Sequence, residues 1–181
     1  EIGPDKLFWE TVADGMDAAC EGKLVVFGVK PTRPETGYGY IQTERAVDGR
    51  QPRFLRFVEK PDEAKAAAFV ADGNYLWNAG IILGRASAIR DAFEKLQPAI
   101  WDRVGQAYEA AATRGRSTLL PQKLFATIPP ISVDHGVLER FPDIAVVEAR
   151  FRWSDVGSWE ALFTLGDADA SGNVVVGDVV T

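Results

Sequence analysis

The sequence predicts an α/β domain in which a sheet is covered by helices, and three observations predict it. Helical and strand signals alternate along the chain. Apolar runs of strand length, Leu24 to Val29, Phe54 to Val58, Tyr75 to Leu83 and Ile144 to Ala149, stand between the helical segments. The chain has 181 residues, of which 46% are hydrophobic and 25% charged, so it is of one-domain size with enough apolar surface to bury a core.

The elements follow in order. Asp5 is placed to cap a helix from Lys6 to Cys20, with Phe8, Trp9, Val12, Met16 and Ala19 on one face and Gly22 as the stop. Leu24 to Val29 reads as a buried strand. Phe54 to Val58 is the next apolar strand; Pro61 ends it and biases Lys60 toward an extended backbone. Asp62 caps an Ala-rich helix that ends at Gly73, and Tyr75 to Leu83 is extended again. Ala86 to Gln97 and Pro98 to Thr113 read as two helices, the second with proline in its first turn, where a missing N–H costs nothing. Pro121 to Thr127 and Ser132 to Arg140 are expected as shorter helices before the strand Ile144 to Ala149. Ser158 then caps a helix from Trp159 to Leu165.

The tail has a different character. Asp169 to Asn173 is a turn-rich break, and Val174 to Val180 has the short-strand pattern that begins a β-solenoid. Two units are therefore expected, residues 1–167 as the main domain and 168–181 as a linker with the first strand of an extension. A strand rich in β-branched residues is an exposed-edge hazard, so pairing with another strand or chain is expected, giving a homo-oligomer, a dimer, through that extension.

Composition excludes some classes of function. A net charge of −6 argues against a nucleic-acid partner held by phosphate neutralisation, and requires any phosphate-bearing ligand to be met by local Lys, Arg or metal. Cys20 is the one cysteine, so no internal disulfide forms and a reducing compartment is suited. No apolar run approaches the ~18 residues that cross a bilayer, and no signal-peptide pattern is present. A cytoplasmic protein without a membrane partner is expected.

Four segments carry chemistry. In Trp153-Ser154-Asp155-Val156-Gly157-Ser158-Trp159 a lone carboxylate stands among small residues after a strand. One carboxylate suits Mg²⁺, which takes its other ligands from water and substrate phosphate; the plain alternative is a turn with both indoles in the core. Gly37-Tyr38-Gly39-Tyr40-Ile41 places two glycines where backbone can approach a ligand, or where a turn needs relief. Phe54 to Pro61 ends in Glu59 and Lys60, an exposed ion pair at the least. Asn78 sits inside an apolar strand, where an unpaired amide would cost ~1 to 3 kcal/mol, so a neighbouring backbone or a ligand must satisfy it; the ligand is expected. Asp134 is either a site residue or an acid favourable to a helix N-terminus. His135, the single histidine, is expected to pack and not to act as a base.

Taken together these residues resemble the sugar-nucleotide pyrophosphorylases, and within that sugar nucleotidyltransferase family the mannose-1-phosphate guanylyltransferases. The matching strings are Phe27 to Thr32, Pro34 to Ile41, Phe57 to Pro61, Trp77 to Gly80, Ser132 to Asp134 and Trp153 to Trp159, spread from about Gly3 to the last residue. The resemblance implies a Rossmann-like nucleotide-diphospho-sugar transferase fold, with a mixed, mainly parallel sheet flanked by helices. It implies transfer of GMP from GTP to mannose 1-phosphate, giving GDP-mannose and pyrophosphate. Lys60 and Asp155 would be catalytic, Asp155 holding Mg²⁺ as cofactor. Gly39, Glu59, Lys60, Asn78 and Asp134 would bind substrate, with Glu59 and Asn78 on sugar hydroxyls and Lys60 on the sugar phosphate. His135 stands where the family more often carries Tyr.

The family's Gly-rich nucleotide-binding loop and the Asp-His segment that follows it are not in this sequence. The stretch is therefore expected to be an amino-terminally truncated, carboxyl-proximal part of a catalytic domain, carrying the sugar-phosphate half of the site and inactive alone. Three alternatives stay open: a glucose-1-phosphate nucleotidyltransferase, a non-catalytic sugar-nucleotide-binding regulatory subunit, and part of a bifunctional enzyme with a phosphomannose isomerase domain.

Overall fold

The computed structural model describes residues 1–44, 51–166, 168–169, 171–175, 177 and 179. In chain order the first elements are β1 (Ile2–Gly3), α1 (Asp5–Cys20), β2 (Leu24–Val29), β3 (Tyr40–Glu44), β4 (Arg53–Val58), α2 (Glu63–Asp72) and β5 (Tyr75–Leu83). They are followed by α3 (Ala86–Leu96), α4 (Pro98–Glu109), β6 (Ala112–Arg114), β7 (Ser117–Leu119) and α5 (Gln122–Phe125). A π-helical turn (Asp134–Leu138), β8 (Ile144–Glu148), β9 (Arg152–Trp153) and α6 (Trp159–Leu165) complete the order.

The α/β architecture read from the sequence forms: a five-stranded mixed sheet in the order β4-β3-β5-β2-β8, with helices packed on both faces. Leu24 and Val26 face Ala92 of α3 and Val137 and Leu138 of the π-turn. Val25 and Phe27, on the opposite face, pack with Ala19 of α1 and Val147 of β8. Because β2 is covered on both sides it has no polar alternation, which is why its sequence is a continuous apolar run. Pairing departs from the expectation in one respect: only β2 and β8 run parallel, and β2-β5, β3-β5 and β3-β4 are antiparallel. A parallel pair needs a crossover of roughly a dozen residues or more, longer than the connection that joins β3 to β4.

Small residues decide how α1 docks. Its buried positions are Thr11, Gly15 and Ala19, and a Cβ on Gly15 would lie 3.0 Å from Val25 Cγ1. The helix therefore sits close to the sheet on its small-residue stripe, and Trp9 and Met16, expected on the buried face, are 65% and 45% exposed. Asp5 lies inside the first turn and Pro4 occupies the cap position without a side-chain bond, so the expected Asp5 cap does not form. The other caps do. Asp62 Oδ1 accepts from the Lys65 N–H at 2.9 Å, Gly73 closes α2 at φ 77°, and Ser158 Oγ accepts from the Ala161 N–H at 3.1 Å.

Two register breaks shape the sheet. Between β3 and β4, Arg56 pairs with Gln42 and Phe54 with Thr43, which leaves Leu55 as an extra residue. Phe54 and Phe57, three apart, consequently both reach the core, with ring centroids 4.9 Å apart. Between β2 and β5, Val26 pairs with Ile82 and Gly28 with Asn78, and Gly80 passes through the break at φ 68°. Asn78, beside this break, is half-buried, while Ala79 is buried and Ile81, Ile82 and Leu83 beyond the break still pack against the core.

Five strands escape the sequence reading: β1, β3, β6, β7 and β9. β3 shows in sequence only as a glycine-containing segment. β1 pairs with β9, Ile2 opposite Trp153, tying the start of the chain to residues 152–153. The helix expected to reach Thr113 ends at Glu109, and β6 and β7 form a hairpin turning at Gly115, φ 60°. In the tail, Ala168 and Val174 form an isolated antiparallel bridge. Val176, Asp178 and Val180 of the expected strand lie outside the described residues.

Candidate active site

The sequence candidates gather at one end of the sheet, the end at which β2 and β8 have their carboxyl ends, with Asn78 opposite Gly28 in β2; ligands of open α/β sheets bind on that side. Antiparallel pairing sets Tyr40 opposite both Val58 and Trp77, which brings the start of β3, the end of β4 and the middle of β5 together. There the Asn78 N–H donates to Gly39 O at 2.8 Å. A Cβ on Gly39 would lie 2.5 Å from Glu59 Oε2 and 3.6 Å from Asn78 Cβ. Glycine at 39 thus leaves the space that the Glu59 carboxylate occupies.

Asn78 reaches the π-turn. Its Nδ2 donates to Asp134 Oδ1 at 2.8 Å and its Oδ1 accepts from the Gly80 N–H at 3.1 Å. Neighbours within the protein, and not a ligand alone as expected, satisfy the amide; one N–H and some lone-pair capacity remain. Lys60 is not extended: its φ is 43°, the left-handed region that non-glycine residues seldom occupy. Its Nζ lies 3.7 Å from Glu59 Oε1, with the lysine side chain 66% exposed. Such a pair adds about 0 to 1 kcal/mol, too little to account for the backbone conformation.

Asp155 joins this group through a residue to which the sequence reading assigns no role. Tyr38, next to Gly39, donates its hydroxyl to Asp155 Oδ1 at 3.0 Å across 117 residues of chain. Its ring meets Trp77 and Trp153 edge-on, with centroids 5.3 and 5.2 Å away. Arg33 lies over the Trp77 ring at 5.6 Å and pairs with Glu35 at 3.2 Å. Trp77 Nε1 is buried without a hydrogen-bond partner among the described residues. Tyr38, Glu35 and Arg33 could have been singled out as the polar members of a Pro- and Gly-rich segment ahead of an apolar strand. Trp153 is half-buried while Trp159 is 87% exposed, so the two indoles do not close the Asp155 turn as a pair. His135 is exposed, with Nδ1 2.9 Å from Ser132 Oγ and Nε2 3.8 Å from Glu139 Oε1; it holds the surface of the π-turn and does not pack as expected.

Burial, then the hydrogen bond and charge of Asp155, push the Tyr38 hydroxyl from 10.0 up to about 12. The folded form keeps this proton longer than the unfolded chain does. Its contribution to stability is therefore complete below pH 10.0 and is lost as pH rises from 10.0 toward about 12. Alkaline difference spectroscopy is expected to show a tyrosinate step near the upper value. Tyr38→Phe removes that step, and Asp155→Asn moves it down.

A divalent metal would find one carboxylate. No cluster of three or more His, Cys, Asp or Glu side chains placed to hold a metal occurs among the described residues. Asp155 Oδ1 takes the bonds from Tyr38 and from the Gly157 N–H at 3.2 Å, and Oδ2 accepts none among the described residues. That donor set fits Mg²⁺, which is held through one or two carboxylates plus water and phosphate, better than a metal needing a full protein cage.

The nucleotidyl transferase family matches residues 5–172, nearly the whole chain. The chain belongs to this family. Relatives of this nucleotidyl transferase chain include the xanthan biosynthesis protein XanB of Xanthomonas campestris, 42% identical over 179 residues, which cover 99% of this chain and 38% of the relative. Mannose-1-phosphate guanylyltransferase of Escherichia coli is 39% identical over 180 residues, covering 98% of this chain and 38% of the relative. Among solved structures, that of a protein described as mannose-1-phosphate geranyltransferase from Thermus thermophilus superposes with a TM-score of 0.75. Its identity is 34%, over 91% of this chain and 46% of that one. The nucleotidyl transferase chain thus spans about 38% of the length of the curated relatives it matches. No helix among its described residues is long and apolar enough to cross a membrane.

Proposed function

We propose that this chain forms the sugar-phosphate half of the active site of an enzyme that transfers GMP from GTP to mannose 1-phosphate, releasing pyrophosphate and giving GDP-mannose. The observation that carries the proposal is the convergence of Gly39, Glu59 and Asn78 on one end of the sheet, with Lys60 beside them and Asp155 joined through Tyr38. The guanylyltransferase name of the E. coli relative supports it. Glu59 and Asn78 hold sugar hydroxyls: a carboxylate only accepts and an amide does both, so together they read orientation as well as presence. Asp134 takes one Asn78 N–H and leaves the other for the sugar. Lys60 meets the phosphate as a point charge. Nucleotidyl transfer asks a protein mainly for in-line positioning and charge stabilisation, so no side-chain nucleophile is needed. Mg²⁺, when bound at Asp155, supplies a cation that offsets charge on the phosphate oxygens.

The test is made on the full-length protein. Glu59→Gln keeps the shape and weakens a charge-assisted hydrogen bond, and Lys60→Met keeps the apolar stem and removes the charge. Each is expected to raise the KM for mannose 1-phosphate or lower kcat/KM about 10- to 100-fold, as the loss of about 1.5 to 3 kcal/mol requires, while the KM for GTP stays within about twofold. Lys60→Met also makes sugar-phosphate binding less sensitive to salt. Equal damage to both substrates would remove Glu59 and Lys60 from the sugar half of the site.

A further inference from the structure

We propose that Tyr38 is a positioning residue that sets the Asp155 carboxylate for the metal and ties it to the sugar end of the site; this rests on the metal role of Asp155 proposed above. Three observations carry it. The Tyr38 hydroxyl is an O–H donor 3.0 Å from Asp155 Oδ1, and the Gly157 N–H reaches the same oxygen at 3.2 Å. Two donors converging on one oxygen fix the carboxylate torsion and leave Oδ2, without a hydrogen bond among the described residues, as the oxygen available to a cation. The donor is itself held: the Tyr38 ring lies between Trp77 and Trp153, at interplanar angles of 87° and 71°. Finally, Tyr38 is one peptide unit from Gly39, whose carbonyl accepts from Asn78 and whose missing Cβ admits Glu59. Asp155 itself stands on an exposed turn, beside Val156 at φ 53°, a conformation β-branched residues rarely adopt. Without the hydroxyl, only the local bond from Gly157 would define where that carboxylate points.

Partners behind a metal ligand orient it, and their loss typically weakens metal binding about 10- to 100-fold. Tyr38→Phe keeps the ring between the two indoles and removes the donor. In the full-length protein, Mn²⁺ titration followed by electron paramagnetic resonance is expected to show a Kd raised about 10-fold. The thermal midpoint stays near that of the parent, and the KM for mannose 1-phosphate at saturating Mg²⁺ stays within about twofold. Placing 4-aminophenylalanine at position 38 restores a donor and is expected to recover most of the Mn²⁺ affinity; it also keeps the test valid if the phenylalanine variant folds poorly. Unchanged Mn²⁺ affinity in Tyr38→Phe, alongside weakened affinity in Asp155→Asn, would overturn the role of Tyr38 alone. Unchanged affinity in both would overturn the metal reading of Asp155 beneath it. A raised KM for mannose 1-phosphate with intact Mn²⁺ binding would make Tyr38 a sugar contact and also overturn the inference.

Discussion

Asp155→Asn in the full-length protein is expected to lower the rate of pyrophosphate release from GTP and mannose 1-phosphate by about 100-fold or more, the scale on which losing one group that stabilises transition-state charge acts. Stability is expected to change little. Asp155 is exposed, and an asparagine carbonyl oxygen still accepts from Tyr38 and from the Gly157 N–H, so the turn survives the substitution. What the amide lacks is the charge. Steady-state rates across a Mg²⁺ series and thermal melts on the same preparation check the two halves of the expectation. A lowered melting point with normal activity per folded molecule would return Asp155 to the role of a turn residue.

Gly28→Val is expected to destabilise the protein by about 3 kcal/mol, the upper range for overpacking a filled core. Gly28 lies in β2, an inner strand, at the register break opposite Asn78. A Cβ there would lie 2.5 Å from Leu76 Cδ1 and 2.7 Å from Leu76 Cβ, and Leu76 is itself 6% exposed, with no open side into which to swing. The β-branched substituent forces β2 and β5 apart at the level of the site. Denaturant unfolding is expected to show a lower midpoint with an unchanged slope. The contrast with Gly39 is informative, because there the obstructing atom is the far end of the Glu59 side chain. Enlarging residue 39 displaces the Glu59 carboxylate; enlarging residue 28 strains the fold.

The strands are legible where burial on both faces leaves only apolar residues, as in β2, and the caps at Asp62, Gly73 and Ser158 are legible because local hydrogen bonding and a left-handed residue leave a direct mark on sequence. β3 and the β1-β9 pair are not. Their strand character comes from partners remote in the chain, and short segments with little apolar alternation carry no periodicity to detect. The docking face of α1 departs from its sequence pattern for a related reason. Large apolar side chains suggest one buried stripe, whereas close approach to the sheet selects Thr11, Gly15 and Ala19.

The sequence by itself determined the α/β class, the family, and the types of group available to the site, since each depends on residue identity and short spacings that survive without coordinates. Tertiary structure alone decided which of those groups meet. Asn78 and Asp134 are 56 residues apart, and Tyr38 and Asp155 are 117 apart. Their contacts follow from strand order, from the break at Gly80 and from the return of the chain through β9. A donor and an acceptor interact only when the fold closes the chain between them. No local pattern around Tyr38 specifies that closure, which is why the bond from its hydroxyl to Asp155 shows only in the folded chain.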